Sequence, residues 1–413
     1  MKKLIALVLA LTMVLALAAC GNSSSAPAAT TAAPQGSTTA TEGSTEVATA
    51  TQNLKIVYCG TSLSTDNGKR LSQLADVFEK EVNDAGGITG TQVEMVVIDG
   101  GNDQQSYINA LLKALEEEDV SAIIGTFFSQ YALACADYVN DAKIPVFNIA
   151  TNFEMREKSD YYFTNRCVDT AFSNVMAQVA LDNGSKNPVA VVYNTSNGKN
   201  DSQFMKTYLE NNGAQMADII EFDNTSTTDY TPIVQKAINV AGSDGILLHA
   251  TANTDGQSII ALLKQYNYQY PIISNSNLFA DQFIKNCGAE NCIGLLGFSE
   301  YPTPEVRPQV QEFTDKLLAN ELFTFEDVSW IDASFYDDCN LILEAAKLAG
   351  NNDKDSVFAG LSQISGYEGV MTSYTFHSDG SFADYIYLAT IEADASSELG
   401  AAIKVTEPLK VEH

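Results

Sequence analysis

Six short segments of this 413-residue chain gather neutral hydrogen-bonding side chains directly behind apolar runs. They are Cys59-Gly60-Thr61-Ser62-Leu63-Ser64, Gly125-Thr126-Phe127-Phe128-Ser129-Gln130-Tyr131, Asn148-Ile149-Ala150-Thr151-Asn152-Phe153, Asn194 to Lys199, His249 to Thr254 and Ser274 to Leu278. Hydroxyls and amides of this kind donate to carboxylates and accept from ammonium groups. With Phe127, Phe128, Tyr131 and Phe153 beside them, they suit a small polar molecule with an apolar portion. Ser129 also fits a helix N-cap, a role compatible with ligand binding. Covalent chemistry has no comparable support. The chain lacks a Gly-x-Ser-x-Gly elbow and a Gly-x-x-x-x-Gly-Lys loop. Its three histidines, His249, His377 and His413, are far apart in sequence, and no carboxylate pair stands out from an acidic surface. Gly86-Gly87-x-x-Gly90 precedes a strand-like run, which makes it turn chemistry and not a phosphate cradle. The chain therefore reads as a non-enzyme with no cofactor and no metal.

The segments acquire meaning from the elements around them. Strand-like runs at 54–60, 93–99, 120–125 and 145–148 alternate with helical periodicity near 71–82, 107–115 and 132–139. Gly86-Gly87 closes the first helix. The alternation restarts with helices at 169–181, 204–209, 231–240, 256–265 and 279–286 and strands at 189–193, 219–222, 245–249, 271–274 and 293–298. This is the pattern of parallel sheets covered on both faces, so the fold class is α/β with two Rossmann-like units. A third region, 305–413, holds helices at 305–319, 333–348 and near Ser356, and strands at 371–376 and 384–391. It is too small and mixed to stand alone, and adding its elements to both units requires several chain crossings. In open parallel sheets, ligands bind beyond the carboxyl ends of the strands, where amides and helix dipoles face outward. All six segments fall there.

The N-terminus carries a delivery system. Lys2 and Lys3 precede an apolar run from Leu4 to Leu15, interrupted by Thr12. It is shorter than the roughly 20 residues a spanning helix needs, and it matches a signal peptide over 1–19. Leu17-Ala18-Ala19-Cys20 resembles the bacterial lipobox, with Cys20 the lipidated residue. Residues 20–52 are rich in Ser, Thr, Ala and Gly, too poor in apolar surface to fold, and read as a tether. The remaining body of about 360 residues is more than one compact core normally holds. A net charge of -29 excludes nucleic acid as a partner. Six cysteines remain beyond Cys20. Only Cys287 and Cys292 are close enough for a local bridge, with free thiols the alternative; no Cys-x-x-Cys pair offers zinc a site.

The order and spacing of several motifs resemble the branched-chain amino acid (Leu/Ile/Val) binding proteins of ABC transporters. They are Ala85-Gly86-Gly87-Ile88-Thr89-Gly90, Val96 to Asp99, Ile123-Ile124-Gly125 through Ser129, Ala150-Thr151-Asn152, Tyr336-Asp337 and Asp379-Gly380. The resemblance covers 54 to about 395 and implies a type I periplasmic-binding-protein fold, two lobes joined by a multi-strand hinge. Lobe 1 is expected at about 53–168 and 300–382, lobe 2 at about 169–299 and 383–413. By the same resemblance, Ser129, Ala150 and Thr151 hold the ligand's carboxylate and amino group; the loop segments themselves add Ser62 and Phe128 as candidates. In the second lobe the family's tyrosines correspond to Asn197 and to Ala252 or Asn253, and its ammonium-binding acid to Ser276. That last departure argues against a simple branched-chain amino acid. Arg166, near the crossing between lobes, is placed to face a second anionic group of the ligand, with a surface arginine the plain alternative. The implied protein is a monomeric lipoprotein on the outer face of the bacterial cytoplasmic membrane. It would hand an amino acid or related amide or carboxylate to an ABC permease and ATPase. A sensor of the same fold, reporting to a membrane signalling partner, is the competing expectation.

Overall fold

The computed structural model describes residues 50–223, 225–251 and 254–413. The signal segment, Cys20, most of the expected tether, and Asn253 lie outside the described residues. The expected tether extends to 52, but the described chain is already packed at its start. The Ala50 amide donates to the Thr89 carbonyl at 2.8 Å, and the Gln52 side chain donates to the Asp119 carbonyl at 2.9 Å.

Two sheets organise the molecule. The first contains β1 (Leu54–Tyr58), β2 (Val93–Val97), β3 (Val120–Ile124), β4 (Val146–Phe147) and β5 (Tyr162–Phe163) in the order β2-β1-β3-β4-β5. All its pairings are parallel. The second contains β6 (Val189–Tyr193), β7 (Asp218–Phe222), β8 (Ile246–Leu248), β9 (Ile272–Ser274) and β10 (Leu296–Ser299). After a small hairpin of β11 (Tyr367–Glu368) and β12 (Ser373–Tyr374), the chain returns to this sheet as β13 (Tyr385–Ala393) and β14 (Ala401–Lys410). Its order is β14-β13-β10-β9-β8-β6-β7, with β13 and β14 antiparallel. Strands covered on both faces explain the unbroken apolar runs: every residue of β3 and β6 is buried. One apolar cluster joins residues of both sheets, and two more cover their other faces.

The chain passes between the sheets three times: after β5, after β10 and before β13. The first and third passages pair with each other, the Thr164 amide donating to the Gly380 carbonyl at 3.0 Å. Gly380 has a φ of +82°, and a Cβ there would meet the Tyr162 carbonyl oxygen at 2.8 Å, so only glycine fits this passage. Helix Trp330–Ala349 returns to the first sheet and packs on β1, β3 and helix Asp66–Asp84. Arg70 joins those two helices by reaching Asp332, which also accepts from the Ser329 amide at 2.7 Å and closes a capping box. Asp337 accepts from the amides of Val370 and Met371 and from the Tyr374 hydroxyl, fixing the loop before β12. The Tyr336-Asp337 and Asp379-Gly380 motifs are thus parts of the frame.

Differences from expectation are local. Helix 132–139 is two helices, Ser129–Ala134 and Ala136–Ala142. The strands β5 and β14 and the helix Glu154–Lys158 are additional. All six cysteines of the described region are free thiols, so Cys287 and Cys292 form no bridge.

Candidate functional site

The strand order reverses direction between β1 and β3 in the first sheet and between β6 and β8 in the second. Loops at the carboxyl ends of strands near these switch points face one another. They enclose a cleft of about 240 Å³, below the roughly 300–1,000 Å³ of drug-sized sites. A larger recess of about 440 Å³ is lined only by residues between Ile260 and Leu295, at the edge of the second sheet. The cleft instead draws on both sheets.

From the first sheet come Phe127, Ser129, Ala150 and Thr151. The β3 and β4 loops are locked together. The Asn148 side chain accepts from the Thr126 amide at 3.1 Å, and the Thr126 carbonyl accepts from the Ala150 amide at 3.2 Å. Ser129 is not the cap of its helix. Phe128 holds that position without a side-chain bond, and Thr126 Oγ1 closes the turn by accepting from the Phe128 amide at 3.0 Å. The Ser129 hydroxyl is therefore not spent on capping, while the Tyr131 and Ala132 amides donate to the Phe128 carbonyl at 2.9 and 3.2 Å.

From the second sheet come Asn197, His249 and Asn275 to Asn277. Helix Asp169–Asp182 adds Asp169, Phe172, Ser173 and Met176. Asp169 is the centre of the polar network. Its carboxylate accepts from Thr151 Oγ1 at 2.6 Å and from the Asn197 amide at 3.3 Å, while its backbone amide donates to the Thr151 carbonyl at 2.9 Å. Asn152 Nδ2 donates to Asn197 Oδ1 at 3.0 Å, a direct contact between the loop after β4 and the start of helix Ser196–Asn211 after β6. Burial, and after it the negative charge of Asp201, pushes the Asp169 carboxyl up to about 6. Asp201 holds His249 Nδ1 at 2.5 Å and accepts from Ser173 at 3.3 Å. Burial works against charge on His249, but Asp201, Asp169 and Asp255 outweigh it and raise the imidazole above its ordinary value.

Arg166 also lines the cleft, but neither as a surface residue nor with a free charge. Its guanidinium meets Glu300 through two bonds of 2.6 Å, donates to the Ile149 carbonyl at 2.6 Å, and lies over Phe172 and Trp330. Ser276 donates to the same Glu300 at 3.1 Å. An acid is thus present beside Ser276, already paired.

Of the residues expected here, Ser129, Ala150, Thr151, Asn197, Ser276 and Arg166 come together. Ser62 and Phe128 do not. Ser62 is buried in the turn before helix Asp66–Asp84, bonded to Ser64 at 2.9 Å. Phe128 is 51% exposed and leans on Tyr131, leaving Phe127 to face the cleft. Asp169, Asp201 and Phe172 escaped the sequence reading. The one available signal was an acid opening a helix just past the first passage between sheets.

Comparison with known proteins agrees with this architecture. Residues 56–396 match the family described as periplasmic binding protein. The Leu/Ile/Val-binding protein homolog 1 of Brucella melitensis is 22% identical over 322 residues, 76% of this chain and 82% of the relative. The branched-chain amino acid transporter substrate-binding protein LivJ of Streptococcus pneumoniae, solved with isoleucine, has a TM-score of 0.68 at 20% identity. The match covers 86% of this chain and all (100%) of that one. A solute-binding protein of R. palustris, solved with 4-hydroxybenzoate, has a TM-score of 0.71 at 20% identity over 87% of this chain and 98% of that one. With two lobes, three passages and a cleft between the carboxyl ends of the sheets, the chain belongs to the periplasmic binding protein family and is a solute-binding protein of the type I fold.

Proposed function

We propose that the protein captures a small amino acid or a close amide or carboxylate analogue between its lobes and delivers it to an ABC permease. The observation that carries this reading is the meeting, in one cleft, of donors from the first lobe with the Asp169 carboxylate. The Ser129 hydroxyl suits a carboxylate; Asp169 and the Ala150 carbonyl suit an ammonium group. The names of the curated relatives and the isoleucine in one solved neighbour support an amino acid. The 4-hydroxybenzoate in another supports the carboxylate as the shared element. Lobe 1 would comprise about 53–168 and 300–382, lobe 2 the rest of the body. Ligand touching both lobes stabilises the closed form by its differential affinity for it. Binding to the native state alone adds roughly 2.7 kcal/mol at one hundred times the dissociation constant. A thermal-shift screen of amino acids, amides and small carboxylates should therefore show a selective rise. Ser129→Ala should weaken the selected ligand about tenfold, the loss of one hydrogen bond to a charged group. An unchanged affinity by calorimetry would remove Ser129 from the site.

Cys20 is proposed as the lipid anchor, placing the receptor on the outer face of the cytoplasmic membrane as a monomer. Among the described residues no helix is long and apolar enough to cross a membrane. Cys20→Ser should move the protein from the membrane to the soluble fraction of fractionated cells. Persistent membrane association would show that something other than Cys20 holds it there.

A further inference from the structure

The second-lobe wall of the cleft carries more polarity than a zwitterion's two charged groups require. His249, Asn275, Ser276 and Asn277 line it, while Phe127, Phe172, Met176 and Phe298 line the remainder and suit a short apolar stem. His249 is the informative residue. Its Nδ1 is committed to Asp201 at 2.5 Å, which fixes the ring and makes Nδ1 the donor of that bond. Nε2 has no protein partner among the described residues. The His249 side chain is 22% exposed, so a ligand that fills the cleft strips this nitrogen of water and must replace that partner, and a site built to supply a hydrogen bond rejects analogues that cannot receive it.

Resting on the amino-acid reading above, we infer that the ligand's side chain is polar and uncharged, a carboxamide or hydroxyl that engages His249 Nε2. A branched aliphatic side chain would leave that nitrogen buried without a partner. A side-chain carboxylate would fare little better. The imidazole is already matched by Asp201 and the Arg166 guanidinium by Glu300, which leaves Asp169 as the uncompensated charge of the cleft. A second anion would enter a region that is negative on balance. Burial opposes the charged imidazole, but Asp201, Asp169 and Asp255 outweigh it and favour that form, in which both ring nitrogens donate. A carbonyl oxygen can receive the Nε2–H, while the remaining amide hydrogens of a carboxamide can meet the asparagine and serine oxygens around it.

The test is calorimetric titration of the full-length protein with glutamine, asparagine, threonine, glutamate and leucine. At least one carboxamide or hydroxyl amino acid should bind about 100-fold more tightly than leucine and glutamate. His249→Gln, which keeps an N–H donor, should retain most of that preference, and His249→Leu should abolish it. Leucine or glutamate binding as tightly as the best polar amino acid would overturn the inference and leave the amino-acid receptor standing. Absence of binding by every amino acid would overturn this inference, and absence of binding by simple amides and carboxylates as well would overturn the receptor reading. The wild-type ranking alone decides the matter if His249→Leu fails to fold.

Discussion

Asp169→Ala is expected to weaken amino-acid binding by two to three orders of magnitude. Removing one partner of a buried, hydrogen-bonded charge pair costs about 2–5 kcal/mol. Here the ligand's ammonium would lose its carboxylate while remaining enclosed. The effect should also appear as a pH dependence in the unaltered protein. Burial and the neighbouring Asp201 raise the Asp169 carboxyl from its ordinary value to about 6. Above that pH it is ionised and attracts an ammonium group; below it the carboxyl is neutral and does not. Affinity should therefore fall as pH drops through about 6, approaching tenfold per pH unit well below it. His249 is raised above its ordinary value by Asp201, so it stays protonated over the acid half of this range and does not produce the change. Asp169→Asn separates the charge from the frame. It keeps an oxygen for Thr151 Oγ1, so the fold should persist, while the pH dependence near 6 disappears. Calorimetry at a series of pH values checks both. A flat profile in the wild type would mean that the ammonium is held elsewhere.

The legible part of this site was the part dictated by topology. Buried parallel strands such as Val120–Ile124 and Val189–Tyr193 are nearly pure apolar runs, and their carboxyl ends indicate where loops must converge. The segments that hold Ser129, Ala150, Thr151, Asn197 and Ser276 follow from that alone, and the family resemblance singles out the residues within them. The direction of a side chain within a loop does not. Phe127 and Phe128 are adjacent and equivalent in composition, yet one faces the cleft and the other solvent. Ser62 fails for a similar reason, because its hydroxyl is used inside its own turn. Asp169 and Asp201, and their link to His249, were hidden by distance along the chain. They come from a helix start, a helix interior and a strand end, and only packing makes them one cluster. Strands of two residues, such as Tyr162–Phe163, are too short to show alternation at all. The final strand, Ala401–Lys410, lies at the sheet edge, where Lys404, Thr406 and Pro408 interrupt any apolar signal.

Glu300→Ala should destabilise the fold by about 3–5 kcal/mol, since it leaves the Arg166 guanidinium buried without its counterion. The two side chains are only 15% and 10% exposed, so water cannot readily replace the lost partner. Their location makes the loss consequential. Arg166 lies in the first passage between sheets and Glu300 opens the second, so the pair ties two of the three strands of chain that join the lobes. Ser276 would lose its acceptor in the same step. Replacing both partners removes the uncompensated charge, so Arg166→Met with Glu300→Leu should recover most of the stability lost by Glu300→Ala. Chemical denaturation of the two variants measures the difference, provided the slope with denaturant stays constant. The comparison also tests what Arg166 is for. If its charge existed to meet an anionic group of the ligand, Glu300→Ala would free it and dicarboxylates would bind more tightly. The observed geometry, with both terminal nitrogens and Nε committed to Glu300 and Ile149, gives instead a loss of stability with no gain for a second carboxylate. A destabilisation below about 1 kcal/mol would mean that the freed guanidinium reaches water, and that the joining segments do not depend on this pair.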